Sequence, residues 1–104
     1  MADKGDKSLE IIEVARTTGK IRKGSNEATK ALEKGLAKFV VIAKDVSPPE
    51  IVMHLPVLAK EKGVPFAEVA SKEELGAAAG LQVGTAAVVV VQEGEAKKLI
   101  AQLK

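Results

Sequence analysis

Ala37-Lys38-Phe39-Val40-Val41-Ile42-Ala43 is a β-branched apolar run without alternation, the pattern of a strand covered on both faces. It is expected to be central in a sheet. Ala86 to Val91, Ala-Ala followed by four valines, carries the strongest strand signal in the chain. Working outward, helical patterns separate the strands. Leu9, Ile11, Ile12, Val14 and Ala15 recur at helical spacing over Lys7–Thr18, with Ser8 as a cap and Gly19 as a stop. Lys20–Lys23 is long enough only for a brief strand. Ser47-Pro48-Pro49-Glu50 reads as a capping box opening a helix to about Lys62, in which Pro56 predicts a kink or a shortening. Gly63-Val64-Pro65 is turn chemistry, and Phe66–Ala70 reads as a short strand. Ser71-Lys72-Glu73-Glu74 is a second capping box, starting a helix to about Ala79. A last helix begins at Glu93 or Gly94 with Ala96, Leu99, Ile100 and Leu103 on its inner face. Met1–Asp6 is expected to be frayed. Helices alternating with apolar strands predict an α/β fold, a three-layer α/β/α sandwich around a small mixed sheet of about four strands.

At 104 residues with 46% hydrophobic composition, the chain fits a single domain over residues 1–104 with one core. It has no cysteine, which excludes disulfides and thiolate metal sites and suits a reducing interior. No run approaches the ~20 apolar residues that span a bilayer, and the charged opening segment has no apolar signal core behind it. A soluble cytoplasmic protein without membrane association is expected. The net charge is only +2, yet Lys20, Arg22, Lys23, Lys30, Lys34 and Lys38 against Glu27 and Glu33 give the stretch Lys20–Lys38 a charge of +4. Such clustering fits either a polyanion partner or a solvated lysine face. Phe39 and Phe66 are the only aromatic residues, which disfavours base stacking on exposed rings.

Nothing in the sequence supports catalysis, a metal or a cofactor. His54 is the single histidine, without companions at metal-ligand spacing, and a lone histidine on a helix is more often a packed or exposed side chain than a catalyst. The glycines at 76, 80 and 84 follow a helix and precede a strand, the reverse of a dinucleotide-binding loop, and there is no P-loop. Glu73 and Glu74 serve the start of their helix.

Gly24-Ser25-Asn26-Glu27-Ala28-Thr29-Lys30-Ala31-Leu32-Glu33-Lys34-Gly35 is a short helix bounded by glycines, starting near Ser25. At 3.6 residues per turn, Asn26, Glu27, Lys30 and Lys34 share one side, and Ala28, Ala31 and Leu32 point the other way. An amide, a carboxylate and an ammonium within about one turn can read base edges. They equally suit an exposed helix in which Glu27 and Lys30 pair at i, i+3. Gly80-Leu81-Gln82-Val83-Gly84 places two bulky apolar side chains between glycines, an odd composition for a solvent loop.

Four segments, in order, carry a resemblance. They are Lys20 to Ala31 (Lys-Ile-Arg-Lys-Gly-Ser-Asn-Glu-Ala-Thr-Lys-Ala), Ile42 to Pro56 (Ile-Ala-Lys-Asp-Val-Ser-Pro-Pro-Glu-Ile-Val-Met-His-Leu-Pro), Ala70-Ser71-Lys72, and Leu75 to Val83 (Leu-Gly-Ala-Ala-Ala-Gly-Leu-Gln-Val). Over about Val14 to Leu99 the chain closely resembles the archaeal kink-turn-binding ribosomal protein family, L-seven-Ae, with Gly-x-Asn-Glu-x-x-Lys as its specific element. The resemblance implies the same α/β/α sandwich and binding to the kink-turn, a helix–bulge–helix RNA with tandem sheared G·A pairs. Its settings are the large ribosomal subunit, box C/D and H/ACA guide RNPs, and RNase P RNA. It implies that Asn26, Glu27 and Lys30 read the G·A pairs, and that Leu81, Gln82 and Val83 cover the extruded bases. Lys20, Arg22, Lys23, Gly24, Ser25 and Lys34 would then meet the RNA backbone. The implied partners are rRNA or guide RNA and the RNP proteins that assemble on the complex, with a monomer when free.

The chain departs from the family pattern in places. Charged Met1–Lys7 replaces a longer segment with aromatic and apolar residues, and Lys34 stands where arginine is common, keeping charge without planar bidentate contacts. Ala28 replaces a frequent Thr or Val, and Lys44 and Gln82 each replace a common Glu. The expected function is non-catalytic RNA binding. The alternative is a protein-interaction module of the same fold without RNA binding.

Overall fold

The sheet is built on two central strands, β2 (Phe39–Ala43), buried throughout, and β4 (Ala87–Gln92), buried through Val90. In the computed structural model the described residues are 4–45 and 50–103, with side chains described for 8–45 and 53–101. The remaining elements are α1 (Lys4–Thr18), β1 (Lys20–Lys23), α2 (Ser25–Glu33), α3 (Glu50–Glu61), β3 (Phe66–Val69), α4 (Lys72–Ala78), a 3₁₀ turn (Gly94–Ala96) and α5 (Lys97–Leu103). Strand order is β1-β4-β2-β3, with β4 antiparallel to both neighbours and β2 parallel to β3.

Paired residues on adjacent strands face the same way, so the register sorts the side chains. Arg22, Val89, Val40 and Phe66 share one face, and Ile21, Val90 and Phe39 the other. Helices α2 and α3 pack together on the first face; α1, with α4 and α5 against it, covers the second. The mixed four-stranded α/β/α sandwich expected from the sequence is the fold observed. The core comprises Ile11, Ile12, Leu32, Phe39, Val40, Val41, Leu55, Leu75, Val88, Val89 and Val90, all close to full burial. Among the described residues no helix is long and apolar enough to cross a membrane.

Several local expectations are corrected. α1 starts at Lys4, within the segment expected to be frayed, and Met1–Asp3 lie outside the described residues. Ser8 is therefore no cap: it sits inside the helix and is fully buried. Residues 47–49 of the expected capping box lie outside the described residues, and α3 begins at its Glu50; the side chain of Leu103 also lies outside them. Pro56 is accommodated within α3, whose helix continues to Glu61. β3 alternates, with Phe66 and Glu68 exposed and Ala67 and Val69 buried, because α1 covers only one face of this edge strand.

Candidate nucleic-acid interface

The C-terminal ends of β1, β2 and β3 lie at one end of the sheet, together with the N-terminal end of β4. From there α2 starts after β1 and α4 after β3. Their first turns differ.

α4 is closed by its own surroundings. Ser71 Oγ accepts the N–H groups of Glu73 and Glu74 at 3.1 and 3.4 Å, the serine half of the second capping box. Asp45, just beyond β2, accepts the Lys72 N–H at 2.8 Å. The donors of this first turn are spent on protein oxygens.

α2 is open. Its N-cap is Gly24, at φ 101° and ψ 152°, and no side chain caps the helix. Ser25 is thus the first helical residue. An added Cβ at Gly24 would meet nothing within 4 Å, so glycine is needed here for its positive φ and leaves clear space before the helix. An N3 glutamate often folds back on the N-cap N–H. Here the Gly24 N–H donates to the Ala87 carbonyl at 2.8 Å, which leaves the Glu27 carboxylate to other partners. Glu27 Oε2 lies 3.5 Å from Arg22 Nη1 and Oε1 lies 4.0 Å from Lys30 Nζ. Asn26 and Lys30 are exposed and Glu27 is half-buried, while Ala28, Ala31 and Leu32 are fully buried. The two sides of the helix expected from its periodicity are present.

The Gly24–Ala87 hydrogen bond also ties the start of α2 to the first residue of β4, where the loop from α4 ends. That loop leaves α4 through Gly80, whose N–H donates to Ala77 O at 3.0 Å while Leu81 N–H donates to Gly76 O at 2.8 Å. This is a Schellman stop, and Gly35 and Gly63 end α2 and α3 with the same pair of bonds. The loop then runs back along α4, and the Thr85 N–H reaches the Lys72 carbonyl at 3.0 Å. A Cβ at Gly76 would lie 2.1 Å from the Val83 carbonyl oxygen, so α4 can hold the loop this closely only with glycine at that position. Leu81 is half-buried against the core, Gln82 is exposed, and Val83 is 71% exposed. Of the two apolar loop residues, Leu81 anchors and Val83 faces solvent. Glu73, Ala77 and residues 81–84 border an open groove of about 390 Å³.

The structure gathers Lys23, Gly24, Ser25, Asn26 and Glu27 at this end of the sheet with the loop. Lys20 and Lys34 are set away from it, because β1 runs toward this end and α2 runs back from it. His54 Nε2 lies 2.6 Å from Thr29 Oγ1, which donates its only hydrogen to Ser25 O at 2.8 Å. The imidazole is therefore the donor in this contact, and it braces α3 against the start of α2. No group of metal-ligating side chains occurs among the described residues. Sequence reasoning missed Asp45 and Gly76. Asp45 carries no local signal, whereas a glycine within an alanine-rich helix is a recognisable sign of close packing.

The solved structure of the Giardia lamblia 15.5kD RNA binding protein superposes with a TM-score of 0.87 at 33% identity, covering 93% of this chain and 81% of that one. Residues 6–100 match the Ribosomal protein L7Ae/L30e/S12e/Gadd45 family, and the chain belongs to that family.

Proposed function

We propose that this protein binds RNA without catalysis, and that its target is kink-turn RNA with tandem sheared G·A pairs. The observation that carries the reading is the contrast between two helix starts at one end of the sheet. α4 is closed by Ser71 and Asp45; α2 is uncapped, with open space before Gly24 and a polar triplet beside it. Free N–H groups at a helix start favour anionic groups such as phosphate. Family membership and likeness to a protein named for RNA binding support the same conclusion.

In this mechanism Asn26, Glu27 and Lys30 read base edges, with the lysine donating to guanine O6 and N7 and the carboxylate accepting base N–H groups. Gly24, Ser25 and Lys23 hold phosphates beside the helix start, and Lys20 and Lys34 meet the backbone farther along. Leu81, Gln82 and Val83 lie over the extruded bases, with Val83 as the exposed apolar surface. Because the triplet fits G·A pairs only when they are sheared and adjacent, the protein selects the bent state of the RNA. Its setting is the large ribosomal subunit or a guide RNP.

A gel-shift titration with kink-turn RNA, beside the same RNA with its G·A pairs replaced, tests this. Cognate RNA is expected to bind more tightly. Equal affinity for both overturns kink-turn recognition, and no binding to either favours a protein-interaction module. Glu27→Ala is expected to weaken the cognate RNA selectively, by roughly 1–3 kcal/mol. Lys23→Ala should weaken both RNAs and flatten the salt dependence.

A further inference from the structure

The resemblance assigns Arg22 to the RNA backbone, but the register turns it elsewhere. Arg22 stands opposite Val89, on the face that α2 covers, whereas its neighbours Ile21 and Lys23 point to the opposite face. Its guanidinium lies 3.5 Å from Glu27, and both side chains are 42% exposed, at the rim rather than out in solvent. The two oxygens of Glu27 are divided between Arg22 and Lys30, and a carboxylate has about four lone-pair sites. Acceptor capacity remains for a ligand.

We propose that Arg22 is a positioning residue for base recognition: it orients the Glu27 carboxylate and stays as its counter-ion when RNA is bound. The inference rests on the reading of Glu27 as a base-contacting residue. A carboxylate among phosphates is repelled unless a cation accompanies it. Lys30 cannot serve both as that cation and as a donor to guanine. Once Lys30 turns to a base, Arg22 is the only other cation paired with Glu27 among the described residues. The N–H on which a glutamate at this position commonly folds back, that of Gly24, is committed to Ala87. A planar guanidinium held on a strand defines the direction of the carboxylate better than a flexible ammonium does.

The test is the affinity ratio between kink-turn RNA and its G·A-replaced version, with the salt slope of each, for the unsubstituted protein, Arg22→Gln, Arg22→Lys, Glu27→Gln and the Arg22→Gln/Glu27→Gln double variant. Arg22→Gln is expected to lower the ratio about tenfold, within the range of one base contact, and to leave the salt slope unchanged. Arg22→Lys should restore part of the ratio. Arg22→Gln should have little further effect in the Glu27→Gln background. An equal loss for both RNAs, with the slope reduced by about 0.9, makes Arg22 a phosphate contact and overturns the proposal. An unchanged ratio overturns it as well. If the unsubstituted protein binds both RNAs equally, the reading of the whole site fails, and that outcome is distinct from the other two.

Discussion

Gly76 shows how one missing side chain shapes the interface. The Val83 carbonyl occupies the place a Cβ would take, 2.1 Å away. In Gly76→Ala the better helix propensity of alanine returns about 1 kcal/mol, and relieving overlap in a packed site costs roughly 1–3. A net loss of about 1 kcal/mol is expected in a thermal or denaturant melt. The larger effect should be displacement of the loop and weaker binding of cognate RNA. A higher melting temperature with unchanged affinity would show that α4 does not set the loop position. At Gly24 the requirement is of another kind: space is free, and the positive φ alone demands glycine.

Among the elements, α4 and α3 make contrasting predictions. Ser71 holds two first-turn donors of α4, so Ser71→Ala should lower stability by about 1 kcal/mol. Asp45 still holds the Lys72 N–H, so the helix itself should survive, and circular dichroism showing its loss would refute this account. In α3, Pro56 withholds the N–H that would bond the Val52 carbonyl. Pro56→Ala should recover most of a helix-interior penalty of ~3 kcal/mol, less the entropy that proline removes from the unfolded chain, for a net gain of about 1–2 kcal/mol in denaturant unfolding. A destabilised variant would mean that the ring's packing outweighs its backbone cost. The bond between Thr29 and His54 joins α3 to the start of α2. The lone histidine, without catalytic companions in the sequence, has a bracing contact in the structure.

Over the whole molecule, the +4 stretch Lys20–Lys38 spans β1, α2 and the approach to β2. With about four phosphates neutralised, a fourfold rise in salt should weaken RNA binding roughly 100-fold; a salt-independent affinity would exclude backbone contacts along this stretch. The sequence alone determined the central strands, the helix stops at Gly35, Gly63 and Gly80, the buried side of α2 and the Ser71 cap. Each of these depends on residues within a few positions of one another, where periodicity and capping chemistry act. Tertiary structure decided the strand order, the turn of Arg22 toward Glu27, the closure of α4 by Asp45 and the seating of the 81–84 loop on Gly76. In the closure of α4, residues 27 apart in the chain meet. For Arg22 the separation is short, yet the direction of its side chain follows from the pairing of β1 with the distant β4. Local pattern cannot supply such contacts, because they exist only once the core has packed and brought the end of the sheet together.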